Sequence, residues 1–199
     1  EETFINNTDV FIIKPKEGYE ERTLTALAIL GSNLCAQYFK KNNVNLGRKA
    51  FPKLNVNNIL DFPISDKNLD DYLIKKLLII SDENEILRIK FLKYLKQTFG
   101  IINLSRKLEN WHELPFGDFI KELNNAIKAT NKERAKENLE LVPELSKKDE
   151  FEWMELFEEN KKKAQELQTQ IAVREKEIDQ MVYELYGLTE EEIRIVENS

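Results

Sequence analysis

Residues 146–186 read SKKDEFEWMELFEENKKKAQELQTQIAVREKEIDQMVYELY. No Pro or Gly interrupts them, so a single helix of about 40 residues, about 60 Å long at 1.5 Å per residue, is expected. Apolar positions at Trp153, Phe157, Ala164, Leu167, Ile171, Ile178, Met181 and Leu185 alternate by threes and fours, with polar interruptions at Asn160 and Arg174. So narrow a stripe on so long a helix needs a partner helix, either one at about 116–137 or one from another chain. Ser146 with Asp149 three residues on forms a short variant of the capping box and sets the start. Gly187 sits where a left-handed residue ends the helix. Thr189 with Glu192 then forms a full capping box, and Leu188 with Ile193 the hydrophobic staple of a second helix. Glu190 and Glu191 place negative charge at the positive end of that helix. GLTEEE thus has a structural reason at every position.

Working outward, helical signals dominate. The spacing of Leu24, Leu27, Ala28, Leu34, Cys35, Tyr38 and Phe39 predicts a helix over about 20–41, and the Asn42-Asn43 pair ends it. Further helices are expected at about 66–80, 84–99 and 116–137, the second stopped by Gly100. Val10 to Ile13, before Pro15, reads as a short strand, and 44–64, with Gly47, Pro52 and Pro63, as short strands and loops. The fold class expected is mainly α: a helical domain with a long, coiled-coil-like C-terminal helix and a small β element near the N-terminus. Three segments follow: 1–65 as an α+β segment, 66–142 as a helical domain, and 143–199 as the long helix, tight turn and capped C-terminal helix.

The 199 residues are 41% hydrophobic and 33% charged, within the globular range. No apolar run approaches a membrane span and the N-terminus lacks a signal-peptide layout, so a cytoplasmic protein is expected. A start at Glu1 rather than Met suggests a cut-out fragment, and Met removal or a lost tag would look the same. The one cysteine, Cys35, excludes an intrachain disulfide and, on its apolar helix, reads as core. The net charge of −6 is unevenly spread: residues 150–197 hold six Lys/Arg and fourteen Asp/Glu, a net of −8.

Little catalytic chemistry is legible. The single histidine, His112, precludes a site needing two and, beside Trp111 and Leu114, reads as packing or capping. No Gly-rich nucleotide loop or Walker lysine occurs. The acid pairs Glu158-Glu159 and Glu190 to Glu192 lie on solvated helix faces, and Glu159-Asn160-Lys161 lacks the converging carboxylates of a metal nuclease. Residues 31–60 are the exception: five cations, seven Asn, and the rings of Tyr38 and Phe39, with no acid. Lys40, Lys41, Asn43, Asn45, Arg48, Lys49 and Lys53 supply groups that contact phosphates and read base edges, and are the candidate DNA-binding residues. The plainer reading is a solvated basic face in a protein rich throughout in Asn, Lys and Ile.

The ending IDQMVYELYGLTEEEIRIVE, Ile178 to Glu197, resembles the C-terminal signature of bacterial restriction-modification proteins that fuse an N6-adenine DNA methyltransferase to its specificity region, the type IIG and related class. LSRKLENWHELPFGDFIKEL, Leu104 to Leu123, resembles the helical segment before that ending. LTALAILGSNLCAQYFKK followed by AFPKLNVNNILDFPI resembles the close of a target recognition domain, with Gly31-Ser32-Asn33 where an Asn-Ser pair is usual. The resemblance implies a C-terminal DNA-specificity and scaffold region. The methyltransferase's D/N-P-P-Y/F motif is absent, since the prolines at 15, 52, 63, 115 and 143 are never adjacent. The Gly-rich loop for S-adenosylmethionine is absent too, so the fragment is expected to have no catalytic, cofactor or metal site. The implied partners are double-stranded DNA, through a parent enzyme that methylates adenine with or without cleavage, and an upstream methyltransferase domain that binds S-adenosylmethionine. The rival reading is a coiled-coil interaction module that binds a partner helix, or itself, without DNA contact.

Overall fold

A computed structural model describes residues 14–42 and 59–198. Seven helices form them: α1 (Thr23–Gly31), α2 (Asn33–Asn42), α3 (Asp71–Phe99), α4 (Arg106–Glu109), α5 (Phe116–Lys136), α6 (Lys147–Tyr186) and α7 (Glu190–Glu197), with 3-10 turns at Glu20–Arg22 and Trp111–Glu113. No strand occurs among the described residues. The strand expected at Val10 to Ile13 and most of the irregular 44–64 stretch lie outside them. The part of that stretch that is described, 59–64, begins helically at 59–60 and then turns. No described helix is long and apolar enough to cross a membrane.

The chain divides into a terminal unit, residues 1–77 with 173–199, and a central unit, residues 78–172. Helices α3 and α6 each contribute residues to both.

In the terminal unit, the single helix expected over 20–41 is broken at Ser32, which is extended at φ −75°, ψ 155°. The Ser32 hydroxyl donates to the Ile29 carbonyl at 2.6 Å and accepts from the Cys35 amide at 3.2 Å. One side chain thus closes α1 and caps α2, the local competition with backbone hydrogen bonding that makes serine a helix breaker. Ala28, Ile29, Cys35, Phe39, Phe62, Ile74, Ile178 and Val182 form the core of this unit. Segment 61–69 is pinned to it by hydrogen bonds. The Tyr186 hydroxyl donates to the Pro63 carbonyl at 2.7 Å and accepts from the Ser65 amide at 3.2 Å. The Tyr38 hydroxyl donates to the Asp61 carbonyl at 3.1 Å, and Thr25 Oγ1 accepts from the Leu69 amide at 3.0 Å.

In the central unit, the two helices expected at 66–80 and 84–99 are one continuous α3. The gap between the two expected helices holds Ser81 and Asp82, side chains that favour turns. Burial of the apolar Ile80 and Phe91 on one face, before and after them, holds the helix through these residues, packing overriding propensity. The helix starts at Asp71 rather than 66, with Asp70 Oδ1 accepting from the Tyr72 amide at 3.1 Å. Gly100 then takes φ 57°, the left-handed stop expected there.

The central core gathers Phe91, Leu95 and Phe99 of α3, Trp111, Phe119, Leu123 and Ile127, and Phe157 and Ala164 of α6. Phe91 stacks on Trp111 at 4.0 Å between centroids and Phe119 on Phe157 at 4.4 Å. Part of the α6 stripe is therefore covered within the chain: Trp153, Phe157 and Ala164 pack with α5 residues in this unit, while Ile178 and Leu185 pack in the terminal core. After α5, the Asn138 backbone at φ 54° and the bond from the Leu139 amide to the Arg134 carbonyl, 2.9 Å, close the helix as a Schellman turn. Asn131 then clasps Val142, donating to its carbonyl at 2.7 Å and accepting from its amide at 2.8 Å. Ser146 and Asp149 make the reciprocal cap of α6 at 2.8 and 3.3 Å. The turn after α6 has Gly187 at φ 67°, and Thr189 and Glu192 form the full capping box of α7.

Candidate functional site

Of the candidate DNA-contacting residues, Lys40 and Lys41 are described and exposed in the last turn of α2, where cations are favoured by the helix's partial negative end. Asn43, Asn45, Arg48, Lys49 and Lys53 lie outside the described residues. Lys40 and Lys41 line, with Gln37 and with Ile195 and Val196 of α7, a shallow cleft of about 190 Å³. The structure thus sets two of the expected cations beside an apolar edge of an otherwise acidic helix.

The opposite end of α2 is held by a buried carboxylate. Asp179, 8% exposed, accepts hydrogen bonds from the Asn33 backbone amide at 2.8 Å and the Asn33 side-chain amide at 2.7 Å. Burial raises its pKa above the ordinary aspartate value, and the two Asn33 bonds pull the other way. Placed on the first amide of α2, it meets the positive end of that helix dipole. The periodicity of α6 picks out Ile178 and Met181 but not the aspartate between them, whose meaning depends on an asparagine 146 positions away.

A second cleft in the terminal unit, of about 310 Å³, is lined by Lys14, Tyr19, Arg22, Leu27, Leu30 and Ile64 among others. Its described lining has apolar walls and two cations, Lys14 and Arg22, with no acid, histidine or cysteine, so it holds no acid-base or nucleophilic pair. Sequence pattern gave no sign of it, because its walls come from separate stretches of chain.

Cys35 is fully buried, and burial pushes its thiol up to about 11, so the nucleophilic thiolate is suppressed. His112, in the central core and 2% exposed, pairs with Gln168, Nε2 to Nε2 at 3.2 Å. Burial and then the nearby Arg88 guanidinium hold its pKa below the ordinary histidine value. The neutral ring accepts from the Gln168 amide, a packing role rather than a general base. Among the described residues no three His, Cys, Asp or Glu side chains gather into a group able to hold a metal ion.

Residues 65–182 match the model of a family described as a domain of unknown function, DUF8810. The matched span includes the whole central unit and excludes α1, α2 and α7. No curated protein and no solved structure matches the chain.

Proposed function

The chain belongs to the DUF8810 family, and from the resemblance at Ile178 to Glu197 together with the basic stretch we propose that it is a non-catalytic DNA-specificity and scaffold region of a bacterial adenine-methylating restriction-modification enzyme. In this reading the family-matched helices are the scaffold, and the basic stretch outside the match meets DNA. The observation that supports it most is the position of Lys40 and Lys41. They stand exposed at the end of a helix anchored at its other end by Asp179, where the chain enters the stretch bearing Asn43, Asn45, Arg48, Lys49 and Lys53. Cations on an anchored helix end position a phosphate backbone, and the asparagines beyond suit base edges. S-adenosylmethionine and methyl transfer are assigned to an upstream methyltransferase domain, and the location is cytoplasmic.

The test is binding of the chain to a labelled duplex by fluorescence anisotropy across a salt series. Weak binding that falls with salt is expected, and replacing Lys40 and Lys41 by Glu should flatten the log-log salt slope by about 2. In the parent protein, charge reversal at Lys40, Lys41, Arg48 and Lys49 should abolish DNA modification. The rival reading, a helix-interaction module without DNA contact, expects no change from the same variants. Calorimetric binding of S-adenosylmethionine by the chain itself would count against the proposal.

A further inference from the structure

Helix α3 buries Ile80, Phe91, Leu95 and Phe99 on one face, yet within the central unit its opposite face also carries large apolar side chains. Ile79, Ile86 and Ile89 are 59%, 50% and 53% exposed. Ile79 and Ile86 are seven residues apart, as are Asp82, Ile89 and Lys96. Positions 79, 82, 86, 89, 93 and 96 therefore alternate by three and four and form one seam along the helix, the spacing of a coiled-coil contact. A merely solvated face has no use for three isoleucines in register.

The charges on and beside this seam are ordered by sign. Asp82, Glu83 and Glu85 occupy its first half, and Lys90, Lys93 and Lys96 its second. A surface that is acidic at one end, basic at the other and apolar between complements its own reverse.

We propose that this face of α3 pairs antiparallel with the same face of a second copy of the chain. A twofold axis between positions 87 and 88 sets Ile86 of each copy against Ile89 of the other. The same axis sets Asp82 against Lys93, and Ile79 against the aliphatic stem of Lys96. Glu83 and Lys90 then flank the seam as a second pair of opposite sign. A parallel arrangement would instead face Asp82 with Asp82 and Lys93 with Lys93, a like-charge pairing that disfavours it. The contact is isologous, so it closes as a dimer and does not propagate. It lies wholly inside the family-matched residues and is independent of any contact with DNA.

Sedimentation equilibrium of the full chain over a concentration series tests this. A reversible monomer-dimer equilibrium is expected. Replacing Ile86 and Ile89 together by Glu should raise the dissociation constant by more than about tenfold. D82K alone and K93D alone should each weaken the dimer, and the double exchange should restore it. All these positions are exposed, so circular dichroism and thermal unfolding of the variants should match wild type. A chain that stays monomeric throughout, or a dimer unmoved by the Ile86 and Ile89 changes, overturns the proposal. Failure of the double charge exchange to restore pairing overturns the antiparallel arrangement.

Discussion

Asp179 and Asn33, 146 positions apart in the chain, are joined by two hydrogen bonds that start α2 from the buried surface of α6. D179A leaves two donors of Asn33 without this acceptor and should cost about 2 kcal/mol in urea denaturation. D179N keeps an acceptor for the backbone amide and should cost clearly less. The raised aspartate pKa gives the sign of the pH effect. The protonated form is favoured by the fold, so its contribution is complete below the ordinary value of 3.8 and is lost as pH rises through the folded value. Equal stability of D179A and wild type would remove the clasp from the account of α2.

Cys35 should be inert to a thiol reagent at pH 8 in the native chain and react on unfolding. Its folded pKa of about 11 exceeds the ordinary 9.0, so the folded protein holds this proton across a window where the unfolded chain releases it. Stability should fall as pH rises from 9 to 11, and C35A should lack that component of the alkaline limb.

The only histidine offers the acid counterpart. His112 is held neutral, with a folded pKa below 6.5. Its contribution to stability is present above that ordinary value and is lost as pH falls through the folded one. Proton NMR of the one imidazole should show a midpoint below 6.5 in the native chain and near 6.5 in urea. A native midpoint above that value would contradict the neutral ring facing Gln168.

Two glycines should respond to alanine with opposite signs. Gly187 has φ 67° and open space where a Cβ would stand, so backbone strain alone opposes a side chain there. G187A should cost about 1 kcal/mol. Gly117 lies within α5 without a left-handed backbone and also has open space, so G117A should gain about 0.5 kcal/mol. Because neither Cβ meets a neighbour, thermal unfolding of the two variants reads the backbone effect alone.

What could be read from residues alone was the local chemistry of helix ends. Gly100, Gly187, Ser146 and Thr189 act within a turn or two of their own position, and each does in the fold what its type implies. The stripe through Phe157, Ala164 and Ile178 was legible as buried, because period alone reports a face. Two misreadings have one cause. Ser32 and Ser81 belong to the same class of helix-breaking side chain, and only the first breaks a helix. At Ser32 the hydroxyl finds both the Ile29 carbonyl and the Cys35 amide, whereas around Ser81 the burial of Ile80 and Phe91 on either side carries the helix onward. That difference is tertiary. The candidate site divides likewise: Lys40 and Lys41 were visible as charge, but the Asp179 anchor and the apolar cleft under Tyr19 join residues too distant in sequence for any motif to connect.

Both tryptophans, Trp111 and Trp153, belong to the central unit, and the single thiol, Cys35, belongs to the terminal one. Indole emission from Trp111, stacked on Phe91, and from Trp153 therefore reports melting of one unit, while thiol release reports melting of the other. The unmodified chain carries its own pair of orthogonal probes. Following both signals through one denaturant titration would show directly whether the two units unfold in a single cooperative step or in succession.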